Sequence, residues 1–195
     1  MRYRGNQGFQ LGPIGFLIVA NLVLYLATSV RPQLFISAFG LTPALFLGQP
    51  WTIVTNLFIH APFPRIGHIF GNMLTLYFFG SYLLRLIGER NFWVVYFAGG
   101  ILGNILYVLL GPSFSPAVGA SGAVFAVAGV LTIMAPKMTV FIFPIPVPIP
   151  LWIAVIGGFL ILSFLPFVAW QAHLGGLAFG LAAGYFYQRK RRYFY

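Results

Sequence analysis

The sequence predicts an all-α membrane protein in which six transmembrane helices form one bundle, with both termini in the cytoplasm. Composition is the first observation behind this prediction, since 60% of the 195 residues are hydrophobic and only 6% are charged. Soluble domains are roughly half apolar and about a quarter charged. The lengths of the apolar stretches and the positions of the basic residues between them are the other two observations.

Six apolar stretches have about the length of a membrane crossing. A bilayer core about 30 Å thick requires about 20 apolar residues in one helix, at about 1.5 Å of rise per residue. The predicted spans are residues 13–30, 67–88, 91–110, 119–135, 151–165 and 167–187. The fifth is short, and Pro166 separates it from the sixth. Because no linker or repeat divides the chain, we expect a single membrane domain over residues 1–195.

The basic residues between the spans predict the orientation of the bundle. With both termini inside, nine Lys and Arg residues lie on the cytoplasmic side, and only Arg31 and Arg65 lie outside. An excess of positive charge on the cytoplasmic side is the usual orientation signal of membrane proteins. The cytoplasmic set is Arg2, Arg4, Arg85, Arg90, Lys137, Arg189, Lys190, Arg191 and Arg192. Residues 31–66 then form a long first outer loop, and its aromatic composition predicts that part of it packs on the bundle or lies in the interface.

The charged residues and the absence of cysteine exclude several classes of function. Glu89 is the single acidic residue, so the chain lacks the two carboxylates that acid/base pairs, aspartyl dyads and oxygen-ligand metal cages require. Without cysteine there is no thiolate nucleophile and no zinc–thiolate site. The net charge of +10 is spread between apolar segments, which favours anionic lipid headgroups over nucleic acid as the partner. We expect no cofactor and no metal, and the basic inner face favours a prokaryotic plasma membrane.

Four polar side chains converge on one depth of the predicted bundle. Polar groups inside a bilayer are costly, so those present are candidates for a functional site. Spans two, four and six all run from outside to inside, and their first turns therefore lie near the outer surface. His68 and Asn72 begin the second span, Ser121 begins the fourth, and His173 lies a few residues into the sixth.

A hydroxyl and an imidazole at one depth suggest nucleophilic catalysis. Serine needs an adjacent base to take its proton, and neutral histidine is suited to that role near pH 7. Because Glu89 lies on the opposite side of the predicted membrane, Ser121 would have to act with a histidine as a dyad, without an orienting acid.

Acyl transfer also requires hydrogen-bond donors where negative charge develops on the substrate oxygen. The available donors are the Asn72 carboxamide, the His68 imidazole and the backbone N–H of Ser121. Glycines at 119 and 122 would let the backbone approach a substrate carbonyl.

Each of these residues also has a simpler structural explanation. A Gly-Ala-Ser-Gly stretch more often serves close helix packing than catalysis, and we assign Gly176 and Gly180 to such packing of the sixth span. A single membrane histidine is usually a hydrogen-bonded structural residue, Asn72 could join two helices, and His60 could simply face water in the first loop. Their shared depth is what favours catalysis.

Two further functions are open to the same residues. His60, His68 and His173 could together bind a metal ion, although no carboxylate is available to act as a base beside it. A transporter is disfavoured because the predicted spans contain no acidic residue for a proton or cation relay.

The motifs resemble those of the rhomboid family of intramembrane serine proteases, over essentially the whole six-span chain. The family's His-x-x-x-Asn motif matches residues 68–72, and its Gly-x-Ser-Gly motif matches residues 119–122. Its Ala-His-x-x-Gly-x-x-x-Gly motif matches residues 172–180. Each motif alone is weak, but the three in order and in the matching spans are specific.

This resemblance implies a rhomboid-like bundle and a role for each matched residue. Ser121 would be the nucleophile and His173 the general base and then the acid, while His68 and Asn72 would stabilise the oxyanion. Phe125, one turn after the serine, would pack against the histidine ring in place of an acid. The implied activity is cleavage of transmembrane segments of membrane proteins near the outer face. The alternative is a catalytically inactive rhomboid-like protein that binds membrane helices.

Departures from the family motifs concern the first loop and substrate entry. Thr52 stands where the family commonly has an arginine after the tryptophan. The family's loop histidine usually lies about five residues before the one in span two, whereas His60 precedes His68 by eight, through an insertion at 61–65. Phe125 replaces a frequent tyrosine, and the Ser–His pair itself is intact.

Overall fold

The chain folds into a mostly helical structure, as predicted. The computed structural model describes residues 12–141, 147–166 and 168–192. Its α-helices are α1 (Pro13–Val30), α2 (Pro32–Phe39), α3 (Thr52–Thr55), α4 (Ile66–Thr75), α5 (Ser81–Ile87), α6 (Glu89–Leu110), α7 (Ser121–Met134), α8 (Leu151–Ser163) and α9 (Trp170–Arg192). Two 3₁₀ turns, Pro43–Leu45 and Asn56–Phe58, lie in the first loop, and a π-helical turn, Leu76–Gly80, joins α4 to α5. Strands β1 (Thr139–Val140) and β2 (Ile149–Pro150) pair antiparallel between α7 and α8.

Each of the six predicted spans overlaps a helix of the structure, and α9 continues to Arg192, beyond the predicted end of the sixth span at residue 187. The second is continuous from residue 66 to 87, because α4, the π turn and α5 follow one another without interruption. Within the described ranges, α1 and α6 are the helices whose own length and apolar composition suffice for a membrane crossing. That the other four segments also cross, and that both termini are cytoplasmic, stays a prediction.

Proline and glycine residues mark several helix ends. Pro13 and Pro32 occupy the first turns of α1 and α2, where the missing N–H has no helical partner to lose. Gly88 separates α5 from α6 with a φ of +77°, a left-handed conformation that glycine adopts without steric cost. Helix α6 therefore starts immediately after α5.

Helices α7 and α9 pack with their backbones in contact. A Cβ atom added to Gly176 would meet the carbonyl oxygen of Gly122, and one added to Gly180 would meet the carbonyl oxygen of Ala126. One turn further, a Cβ on Gly184 would lie 3.0 Å from a carbonyl oxygen of α7. Gly176 and Gly180 thus lie in a close helix contact of the kind their spacing predicts, and Gly184 extends it.

Helix α6 packs on another side of α9 in the same manner. A Cβ on Gly103 would meet the carbonyl oxygen of Ala172, and a Cβ on Gly175 would lie 2.8 Å from the Gly103 Cα. His173 follows Ala172 in the chain, so its backbone lies at the junction of α6, α7 and α9.

Two glutamines of α9 bind the ends of the neighbouring helices. Gln171 Nε2 donates to the carbonyl oxygen of Leu110 at 3.1 Å, and Gln188 Nε2 donates to that of Ile133 at 2.8 Å. Carbonyls in the last turn of a helix have no partner within the helix. These side chains therefore fix the C-terminal ends of α6 and α7 against α9.

Residues of the predicted first outer loop, 31–66, pack on the helices that follow it, as its aromatic composition predicts. Leu41 and Ala117 form an antiparallel bridge. Leu41 N donates to the carbonyl oxygen of Ala117 at 2.9 Å, and Ala117 N donates to that of Leu41 at 2.8 Å. Ala44 N donates to the carbonyl oxygen of Ser113 at 2.8 Å. Leu57 is buried and lies against α6 at Gly100. The loop thus pairs with the segment that leads into Ser121.

Candidate active site

Ser121 and His173 meet at the start of two different helices. Ser121 is the first residue of α7, and His173 lies in the first turn of α9. The Ser121 Oγ lies 2.7 Å from the His173 Nε2, which is hydrogen-bonding distance. Ser121 is partly exposed, whereas His173 is buried. A partly exposed serine is therefore paired with a buried imidazole.

The His173 ring is oriented by aromatic packing. The Phe125 ring lies 4.8 Å from it between centroids, at an interplanar angle of 33°. Phe159 of α8 in turn contacts Phe125 edge-on, at 6.1 Å. Among the residues that the structure describes, the buried Nδ1 of His173 has no hydrogen-bond partner. The carboxylate of Glu89 accepts from Trp93 Nε1 at 3.3 Å, away from the histidine.

Gly119 shapes the backbone two residues before Ser121. Its φ is +124°, a conformation that side-chain-bearing residues rarely adopt. A Cβ at this position would lie 2.7 Å from the Nε2 of His68, so the imidazole rests against the glycine. Gly122, by contrast, packs on α9, with its Cβ position 3.2 Å from the carbonyl oxygen of Ala172. Only the first of these two glycines therefore borders the site.

A hydrogen bond from the preceding loop selects one tautomer of the neutral His68 ring. The backbone N–H of Ala61 donates to His68 Nδ1 at 3.2 Å. A ring nitrogen that accepts a hydrogen bond carries no proton, so the neutral ring carries its proton on Nε2. That nitrogen faces Gly119, and the N–H therefore points toward the segment that carries Ser121.

Asn72 is buried one helical turn beyond His68. Its Nδ2 donates to the backbone carbonyl oxygen of His68 at 2.8 Å. This hydrogen bond ties the side chain to its own helix. A carboxamide nitrogen carries two hydrogens, so one donor is left for another acceptor.

His60 does not face water, contrary to the simplest expectation from its loop position. Its exposed fraction is 0%, and its ring lies 5.1 Å from that of His68 between centroids. Within the described ranges neither ring nitrogen makes a hydrogen bond of good geometry. Burial, with a smaller contribution from His68, lowers the pKa of His60 to about 3, and the nearby backbone of Phe58 opposes this fall of the pKa without reversing it.

The low pKa of buried His60 predicts that the folded protein loses stability in acid. In the unfolded chain His60 takes a proton below about pH 6.5, but the folded protein binds it only near pH 3, so folding stability falls as the pH drops between these values. The slope from this residue is about 1.4 kcal/mol per pH unit. Thermal unfolding at pH 7.5, 5.5 and 4.5 is therefore expected to show a smaller acid loss for His60→Gln than for the wild type. Equal losses would mean that His60 does not titrate in this way.

Two asparagines beside the site were not among the sequence-predicted residues. Asn56 in the first loop and Asn104 in α6 are both buried, and their side chains bond to each other. The signal available for Asn104 was its position as an amide within the third predicted span, where a polar group is costly. Nothing in the sequence distinguishes Asn56 from an ordinary loop asparagine.

No metal centre is evident around the histidines. Across residues 12–141, 147–166 and 168–192, no three His, Asp or Glu side chains come together in a way that could hold a metal ion. The three-histidine hypothesis therefore gains no support from the geometry.

Similar proteins identify the family of the chain. The model of the rhomboid domain matches residues 47–190. "Rhomboid protein 1, mitochondrial" of Saccharomyces cerevisiae is 31% identical in an alignment of 169 residues with gaps, which covers 72% of this chain and 44% of that protein. "Putative rhomboid protease YdcA" of Bacillus subtilis is 30% identical over 125 residues, covering 62% of this chain and 61% of that protein. "Inactive RHOMBOID-like protein 8" of Arabidopsis thaliana is 29% identical over 127 residues, covering 65% of this chain and 35% of that protein.

The domain match includes every residue of the Ser121–His173 site. The chain spans about half the length of the curated relatives that it matches. These relatives include a named protease and a named inactive protein, so similarity alone does not assign activity. Since the rhomboid domain is a membrane domain that covers most of the sequence, the chain is an integral membrane protein and belongs to the rhomboid family.

Proposed function

We propose that this chain is an intramembrane serine endopeptidase that cleaves transmembrane segments of membrane proteins near the outer face. The observation that carries the proposal is the 2.7 Å distance between Ser121 Oγ and His173 Nε2. An inactive relative would have no need to keep a serine and a histidine in hydrogen-bonding contact. Relatives named as proteases support the same reaction class.

In the first half of the reaction, His173 acts as the base. Its Nε2 takes the proton of the Ser121 hydroxyl while Oγ attacks the scissile carbonyl carbon. The resulting imidazolium is stabilised by aromatic packing against Phe125 rather than by a carboxylate. The same nitrogen then gives the proton to the leaving amine, and the peptide bond breaks to leave an ester on Ser121.

Three groups are the proposed donors to the oxyanion. The Ser121 backbone N–H belongs to the first turn of α7, where amides have no helical acceptor and the helix end is partially positive. The His68 Nε2 faces the same segment, and Asn72, one turn beyond His68 on the same helix, is proposed as the third donor through its second N–H. Such preorganised donors are typically worth about 3–4 kcal/mol each in the transition state.

Hydrolysis of the ester completes the cycle and requires water at the site. Water attacks the acyl carbon while His173 takes its proton, and Ser121 regains a proton as the acid product leaves. A substrate helix hides its carbonyls in internal hydrogen bonds, so it must unwind locally before attack. We therefore expect small or helix-breaking residues near the scissile bond.

The proposed setting is a bundle of six spans with both termini in the cytoplasm. Nine of the basic residues then lie inside, next to anionic lipid headgroups. Ser121 and His173, in the first turns of spans four and six, lie close to the outer surface. This charge distribution favours a prokaryotic plasma membrane, although a relative is also found in mitochondria. The proposed chemistry uses no cofactor and no metal.

The second candidate is an inactive rhomboid-like protein that binds membrane helices. The inactive Arabidopsis relative is the observation that favours it. Such a protein would bind a transmembrane substrate without cutting it.

A reconstituted cleavage assay separates the two. The protein is placed in vesicles with a single-span substrate that carries small or helix-breaking residues near its outer end. We expect two fragments whose masses locate the cut within or beside the span. A substrate that binds but stays whole, across a panel of such sequences, would favour the inactive protein.

A further inference from the structure

The segment before the nucleophile is held by the first loop. Gly119 N donates to the backbone carbonyl oxygen of Asn56 at 2.9 Å, two residues before Ser121. Because Gly119 also has a left-handed φ and touches the His68 ring, a shift of its backbone would move both the serine and an oxyanion donor. The position of the Asn56 carbonyl therefore matters for the proposed chemistry.

That carbonyl is itself fixed by a buried pair of side-chain amides. Asn56 Nδ2 donates to Asn104 Oδ1 at 3.0 Å, and Asn104 Nδ2 donates to Asn56 Oδ1 at 2.7 Å. Asn104 Nδ2 also donates to the backbone carbonyl oxygen of Ile53 at 2.7 Å. Both asparagines are 2% exposed. The loop is thus bound at residues 53 and 56 to one side chain of α6.

Helix α6 connects this pair to the helix that carries His173. Gly103, the neighbour of Asn104, lies in backbone contact with Ala172, and Ala172 precedes His173. Helix α6 therefore positions His173 through its contact with α9. The same helix positions Ser121 through the amide pair and Gly119. Both Ser121 and His173 are thus positioned by contacts with α6.

We infer that the Asn56–Asn104 amide pair is a positioning pair, which fixes the carbonyl that holds Gly119 and thereby sets the Ser121 backbone N–H and hydroxyl relative to His173. This inference rests on the proposed function. Buried amides are costly unless hydrogen-bonded, and here both side chains are bonded mutually and to the loop backbone. A pair that only attached the loop to α6 would contribute to stability, but its removal would not lower kcat selectively.

The test compares Asn104→Ala and Asn56→Ala with a matched control, Asn21→Ala. Asn21 is also a fully buried asparagine, bonded through Nδ2 to the Leu17 carbonyl oxygen of α1 at 2.8 Å. We expect either pair variant to lower kcat about ten- to hundredfold with little change in KM, as for a small misplacement of reacting groups. The double variant should lose no more than the worse single one, because both remove the same pair.

A second readout does not depend on activity. Hydrogen exchange of the Gly119 amide is expected to accelerate in the pair variants and to stay unchanged in Asn21→Ala. Asn56→Ala leaves α6 intact, so it serves if Asn104→Ala does not fold.

Unchanged kcat in a folded pair variant, or an equal loss of kcat in Asn21→Ala, would overturn the inference while the proposed function stands. A wild-type protein that cleaves no substrate would instead refute the proposed function. Gly119 exchange would then decide whether the pair holds this segment, and an unchanged exchange rate would reject the pair's role as well.

Discussion

Replacing Ser121 with alanine is expected to lower kcat for cleavage of a transmembrane substrate at least about a thousandfold. The substitution removes the oxygen that is proposed to attack the carbonyl, and the chain has no cysteine that could act as nucleophile in its place. His173→Ala is expected to lower kcat to a similar extent, since the hydroxyl then has no base within hydrogen-bonding distance. The double variant should lose no more than either single one, because the two residues act as a unit. Cleavage by purified variants in vesicles measures all three.

Two controls accompany this comparison. Thermal unfolding should show that both variants stay folded, because neither side chain lies in the backbone contact between α7 and α9. A cleavage rate within tenfold of the wild type for either variant would contradict the dyad.

The largest expected effect on stability is that of Gly176→Ala. The new Cβ would meet the carbonyl oxygen of Gly122, a backbone atom that cannot turn away, so α7 and α9 would have to separate. Overpacking of this kind typically costs about 1–3 kcal/mol and sometimes more. For a chain of this size we expect the unfolding temperature to fall by roughly 5–10 °C.

Gly157→Ala is the matched control for this prediction. Gly157 is also a helical glycine, in α8, but nothing lies within 4 Å of its Cβ position. Alanine is the better helix former, so this substitution should leave the unfolding temperature unchanged or slightly raised. Equal unfolding temperatures for Gly176→Ala and Gly157→Ala would show that α7 and α9 are not in backbone contact at Gly176.

The sequence was sufficient to predict one depth for Ser121 and His173, because that prediction depends only on the order of the apolar stretches, whereas their 2.7 Å contact comes from the structure. The predicted spans four and six have the same direction, so their first turns are expected at one depth regardless of how the loops fold; α7 and α9 do run parallel, with Gly176 near Gly122 and Gly180 near Ala126. The spacing of Gly176 and Gly180 was equally informative, since residues four apart lie on one face of a helix.

The remaining parts of the site depend on loop backbone, which has no periodic signal. The Asn56–Asn104 pair joins residues 48 positions apart, and the bond to His68 Nδ1 comes from the Ala61 backbone N–H, which every residue but proline carries. The burial of His60 follows from the same loop path. The left-handed φ of Gly119 is a conformation that the glycine permits but does not require.

The most direct test of the Ser121–His173 dyad is covalent labelling of the intact wild-type protein with a fluorophosphonate, followed by mass spectrometry of the modified peptide. A serine whose proton is taken by a neighbouring imidazole reacts with this probe, whereas an ordinary serine does not. The dyad predicts one adduct, on Ser121, that is lost in folded His173→Ala. Absence of the adduct from a folded wild-type protein, or labelling that persists unchanged without the histidine, would contradict it.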